Sequence, residues 1–132
     1  AHLNAAQALL EAVGTVVRLK SENQIDAVTG VSGSGPAYVF HLIECLAAAG
    51  EAQGLAPELA MQLAKATVAG AGALAIASSE TPSQLRVNVT SPNGTTQAGL
   101  DELMDSDRGL PPLIRRTVAA ATNRSKELAR DA

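Results

Sequence analysis

"LAPELAMQLAKATVAGAGALAIASS", Leu55 to Ser79, decides the fold. Pro57 suits the first turn of a helix, where its missing N–H has no partner to lose, and Glu58 complements the dipole there. The helical pattern runs to about Ser78. Leu59, Leu63, Ala66, Gly70 and Leu74 form one stripe, while Met61, Val68 and Ala75 lie elsewhere around the axis. Glu58 and Lys65 are the only charges before Ser78. A helix apolar on every side is buried on every side. A small domain has trouble burying one with a single chain, so the stretch points to an oligomer, with Gly70 and Gly72 admitting a second helix closely. A loosely packed alanine helix is the alternative. The uncharged run Ala66 to Ala77 is shorter than the roughly 20 residues a bilayer needs, so the segment reads as a buried helix and no membrane partner is expected.

The flanking sequence is helical too. Upstream, "AYVFHLIECLAAAGEAQG" gives a helix from Ala37 to about Gln53, ended by Gly54, with Pro36 in its first turn. The glycines and serines of "VSGSGPAY" read as non-helical. A dinucleotide or P-loop reading of that stretch lacks its preceding strand and its Gly-Lys-Ser/Thr, leaving a tight connector that caps a helix. At the N-terminus Leu3, Leu9, Leu10 and Val13 share one face and Gly14 ends the helix, with "TVVRLK" as an extended connector. Downstream, Thr81, Pro82 and Gln84 have capping-box spacing. "TTQAGLDELMDS" is a helix with Ala98, Leu100 and Leu103 inward. "DRGLPP" is a break, and the last helix turns Leu113, Ile114, Val118, Ala121 and Leu128 inward. The class is all-α, a helical bundle.

The 132 residues fit one domain, and 46% hydrophobic with 17% charged is globular. Aromatics are 2% and the net charge is −3. Nucleic-acid binding therefore lacks both its cationic and its stacking groups. Cys45 is the single cysteine, which excludes an intrachain disulfide and suits a reducing compartment. His41, Glu44 and Cys45 lie within one helical turn. With His2 the only other histidine, they read as a His–Glu pair beside a packed thiol rather than a metal site.

"SPNGTTQAG", Ser91 to Gly99, is the one loop with evident chemistry. Asn93 and Gly94 allow a tight or left-handed backbone. Thr95 and Thr96 then open a helix, leaving free N–H groups, a positive dipole end and two hydroxyls. That is a place for a small carboxylate. Threonines that merely cap the helix are the equal alternative.

"DAVTGVSGSGPAYVFHLIECLAAAGEAQGL", "SPNGTTQAGL" and "AAATNRSKEL" together resemble the C-terminal domain of the pyrroline-5-carboxylate reductase family, from about Ile25 to Leu128. The resemblance implies reduction of 1-pyrroline-5-carboxylate to L-proline with NADPH or NADH, in proline biosynthesis. It implies that residues 1–132 are a C-terminal helical dimerisation and substrate-binding domain, without the N-terminal Rossmann domain. It also implies an interlocked homodimer with further assembly of dimers, and a cytoplasmic location. By the same resemblance Ser91, Gly94, Thr95 and Thr96 bind the substrate, with Thr96 near the ring nitrogen, and Ser34, Gly35 and Pro36 lie where nicotinamide meets substrate. Asn93 stands where that family most usually has glycine, and "DRGLPPLIRR" departs from its usual stretch before the last helix. Two other readings are a helical dimer domain of another Rossmann-type imine or hydroxy-acid dehydrogenase, and a non-enzymatic dimerisation module.

Overall fold

A computed structural model describes residues 2–131. Among them every regular element is helical: α1 (His2–Glu11), a 3₁₀ turn (Glu22–Gln24), α2 (Ile25–Val28), a π turn (Thr29–Gly33), α3 (Gly35–Ala52), α4 (Pro57–Ala77), α5 (Pro82–Asn88), α6 (Thr95–Leu103) and α7 (Leu110–Arg130). The expected helix starts and stops largely hold. Pro36, Pro57 and Pro82 sit in first turns. Gly54, at φ 96°, takes the left-handed conformation that ends α3.

Two packed units account for most of the contact. In the first, α3 and α4 form a hairpin. Its centre is Ala47, Ala60 and Ala64, with Ile43 and Met61 against them. A side chain on Gly50 would meet Leu55 Cδ1 at 3.2 Å and Ala60 Cβ at 3.4 Å, so small residues set the close approach. In the second, α7 packs on α2 and the π turn. Ser125 Oγ donates to Asp26 Oδ1 at 2.7 Å, joining positions 99 residues apart. At the other end of the chain, Arg18 holds α1 through Gln7 and Asn4.

Several expectations are corrected. Within the single chain the helix Pro57–Ala77 buries only Ala60 and Ala64, as a helix that needs a second copy would. Leu59, Leu63 and Leu74 are about half exposed, and nothing lies within 4 Å of a Cβ built on Gly70 or Gly72. Its in-chain face is the Ala60–Ala64 side, not the Leu59–Leu74 stripe. Over its most apolar stretch the mean hydropathy is 1.4, so by length and composition alone α4 could cross a membrane. The apolar face of α1 is likewise exposed, at Leu3, Leu9, Leu10 and Val13.

The glycine–serine stretch around residue 33 is helical, as a π turn closed by the Ser34 N–H donating to Thr29 O at 2.8 Å. Contacts with α7 hold it, which local propensity does not reveal. The last helix begins at Leu110, so Pro111 and Pro112 belong to its first turn, where no N–H is needed. Of its expected inward residues Val118 and Ala121 are half-buried, while Leu113, Ile114 and Leu128 are exposed. In α6 only Leu100 of the three is half-buried. Thr81 Oγ1 does accept the Gln84 N–H, at 3.2 Å. The Gln84 side chain turns to Asn88 instead of back to Thr81, so the capping box is half formed.

The exposed area is 10219 Å². A compact domain of 13.4 kDa exposes about 6,500 Å². The chain thus leaves about 3,700 Å² more in solvent than a self-sufficient domain of its mass.

Candidate functional site

The Ser91–Thr96 loop leaves α5 through a closed end, where Thr90 Oγ1 donates to Arg86 O at 2.6 Å. The Gly94 N–H donates to Ser91 O at 3.0 Å, closing a four-residue turn. Pro92 takes its second position and Asn93, at φ 57°, its third. That is type II turn chemistry: proline presets the first central residue and the second must have positive φ, which asparagine tolerates. Asn93 is the only non-glycine in this conformation among the described residues. Gly94 is needed for space rather than for φ, because a Cβ there would stand 3.1 Å from Ser91 O and 3.3 Å from Ser91 Cβ.

Gly94 is the N-cap of α6, and no side chain caps it. The first helical bond runs from the Ala98 N–H to Gly94 O, at 3.2 Å. The N–H groups of Thr95, Thr96 and Gln97 therefore stand ahead of the ladder, at the positive end of the dipole. Thr95 and Thr96 occupy the first two helical positions and are exposed. Neither threonine does the capping that the alternative reading assigned to it. The turn leaves the first backbone donors of α6 uncapped, with the Thr95 and Thr96 side chains exposed beside them.

Ser34, Gly35 and Pro36 form the start of α3, with Ser34 and Gly35 half-buried and Pro36 exposed. A Cβ on Gly35 would meet nothing within 4 Å. Beside it runs an open trough of about 540 Å³, lined by Val31, Pro36, Phe40, Ile114 and Val118 among others. A second apolar groove, about 380 Å³, lies between α5, α6 and α7 and is lined by Leu100, Met104, Leu110 and Ile114, with Arg86 at its edge. Within one chain α3 and α6 do not pack extensively on one another.

These features, a tight turn before an uncapped helix start, occur in a chain of known kinship. The family described as pyrroline-5-carboxylate reductase dimerisation matches residues 22–128. The chain belongs to that family. The pyrroline-5-carboxylate reductase of Pseudomonas aeruginosa is 47% identical over 121 residues, which are 92% of this chain and 44% of that protein. Pyrroline-5-carboxylate reductase 1 of Bacillus subtilis is 42% identical over 126 residues, 96% of this chain and 41% of that protein. The solved pyrroline-5-carboxylate reductase of Coxiella burnetii superposes with a TM-score of 0.90 at 41% identity, over 96% of this chain and 46% of that one. The Plasmodium falciparum pyrroline carboxylate reductase, solved with NADP bound, gives 0.82 at 31% identity, over 95% of this chain and 47% of that one. The chain spans less than half the length of these reductases.

Within the family fold, two residue groups differ from the sequence expectation or were missed by it. His41 and Glu44 do pair, Nδ1 to Oε2 at 2.8 Å, but Cys45 is exposed rather than packed. The segment before α7 is an ordered turn. Asp105 Oδ1 accepts the N–H groups of Asp107 and Arg108 at 2.8 and 2.7 Å. These backbone bonds, Arg108's first, hold the Asp105 carboxyl below its ordinary value. Gly109 is buried against it, with Leu103 O 2.5 Å and Asp105 O 2.6 Å from where a Cβ would be. The Asp and Gly of "DSDRG" were the available signal for this turn.

Proposed function

We propose that this chain is the C-terminal helical dimerisation and substrate-binding domain of an oxidoreductase that reduces 1-pyrroline-5-carboxylate to L-proline with NADPH or NADH. A dinucleotide-binding Rossmann domain would occupy the remaining length of the protein, as the relatives' greater length suggests. The observation that carries the reading is the Ser91–Thr96 turn: uncapped N–H donors at a helix start, in a chain of this family.

In this reading the Thr95 and Thr96 amides and the Ser91 hydroxyl donate to the substrate carboxylate, and the Gly94 backbone lets it approach. Charge on the carboxylate meets the positive end of α6. The Thr96 hydroxyl faces the ring nitrogen and holds its proton in place. Ser34, Gly35 and Pro36 flank the nicotinamide; Gly35 has the open space a flat ring requires. The nicotinamide, when bound, supplies the hydride that goes to the imine carbon. What these residues contribute is orientation and exclusion of water, and neither a strong base nor a metal ligand is required of them.

The domain acts as a homodimer, and dimers assemble further. The excess exposed area and the unpartnered apolar side of α4 support this, together with a family described by its dimerisation. A second copy also suits α4 better than lipid, since the helix carries Glu58 and Lys65. The free Cys45 is compatible with a cytoplasmic location.

Thr96→Ala in the full-length protein tests the site. It removes a hydroxyl and keeps the helix start. Loss of one hydrogen bond to a charged group lowers kcat and kcat/KM together by about ten- to a hundredfold. Ser91→Ala raises KM instead, because the carboxylate changes little as the hydride moves. Wild-type kcat/KM in Thr96→Ala, with only a lowered Tm, would refute the assignment.

A further inference from the structure

The π turn Thr29–Gly33 immediately precedes Ser34–Pro36, and no local preference explains it. A π turn inserts one residue relative to an α-helix. The inserted residue turns everything after it by about 100° and advances it by about 1.5 Å. Such a turn persists where its surroundings fix it, and three contacts do so here. Gly30 is buried against α7, where a Cβ would overlap Thr122 Oγ1 and stand 3.1 Å from Val118 O. Tyr38 Oη, in the first turn of α3, donates to Gly30 O at 3.2 Å. Ser125 Oγ on α7 donates to Asp26 at 2.7 Å, one turn earlier. Ser34–Pro36 is thus aimed by α7, a helix about ninety residues away in sequence.

We propose that α7 and Tyr38, acting through the π turn, set where Ser34–Pro36 stands, with Tyr38 and Thr122 as positioning residues for hydride transfer. The proposal rests on the reading of Ser34–Pro36 as the segment beside the nicotinamide. Tyr38 and Thr122 touch neither substrate nor cofactor in it. They act through the backbone of Gly30.

The test uses the full-length protein. Tyr38→Phe removes the bond to Gly30 O and keeps the ring. It lowers kcat/KM for NAD(P)H about three- to tenfold, the size of one hydrogen bond. The KM for pyrroline-5-carboxylate stays unchanged, and the primary deuterium isotope effect on hydride transfer changes. Gly30→Ala forces the turn off α7 and lowers the rate further, about a hundredfold. Gly30→Ala/Thr122→Ala recovers part of that loss, since the overlap with Oγ1 is gone and only the Val118 contact remains. Thr122→Ala alone is milder, so the cycle remains readable through Tyr38→Phe and Thr122→Ala if Gly30→Ala does not fold. Wild-type nucleotide kinetics and isotope effect in Tyr38→Phe, or a Gly30→Ala loss that Thr122→Ala leaves untouched, overturns the proposal. Absence of reductase activity in the wild-type protein overturns the underlying reading, and this one with it.

Discussion

Leu74→Asp separates a domain that needs a second copy from one that does not. Leu74 lies in the last turn of α4 and is 51% exposed in the single chain. That leaves roughly 90 Å² of apolar side chain for a partner to cover, worth about 2 kcal/mol at roughly 25 cal/mol per Å². A two-fold interface uses the position twice, so the dimer loses about 4 kcal/mol before any charge is considered. Two carboxylates must also be desolvated without partners, which costs several kcal/mol more. The dissociation constant therefore rises by at least about a thousandfold. In the isolated protomer the same substitution is mild, because the side chain is already half in water. Sedimentation velocity over a concentration series reads the constant, and circular dichroism reports the helix. Leu74→Ala gives a smaller shift of the same sign, with no charge to bury. A Leu74→Asp protein that sediments as a dimer with the wild-type constant refutes the reasoning.

Asp105→Ala removes the acceptor that orders the turn before α7 and lowers Tm at neutral pH. The folded carboxyl titrates below its unfolded value, so its stabilisation is present above the ordinary carboxylate range. It fades as pH falls through the lowered value, and thermal melts of the two proteins should converge in acid. The 132-residue chain by itself, incubated with pyrroline-5-carboxylate and NADPH, should give no turnover in a spectrophotometric assay, since a dinucleotide fold is built on a parallel sheet and the described residues form only helices.

Helix positions were legible because prolines and glycines mark them. Pro57 opens α4 and Gly54 closes α3 wherever the rest of the protein lies. The facing of the helices was less legible. Leu59, Leu63 and Leu74 form a clear stripe, but periodicity says only that a face is apolar, not which neighbour covers it. The alanines at 60 and 64 won the in-chain contact because their size permits the approach at Gly50. The Ser91–Gly94 turn could be read from Pro92, Asn93 and Gly94, since each has one turn position it fills well. The π turn could not. Gly30 and Thr122 meet only once α7 is in place, and no local pattern records a contact made across ninety residues.

The alanine contact between α3 and α4 has a kinetic side. Alanine and glycine have no rotamers to lose, so bringing Ala47, Gly50, Ala60 and Ala64 together orders backbone alone. Only the short connection from Gln53 to Ala56 must close. Local closures of this kind take well under a millisecond. The hairpin would then form within one chain before two chains meet, with Leu59, Leu63 and Leu74 of α4 still about half exposed. Encounter between copies becomes a collision of preformed hairpins, and its rate should scale with protein concentration while the early helical signal does not.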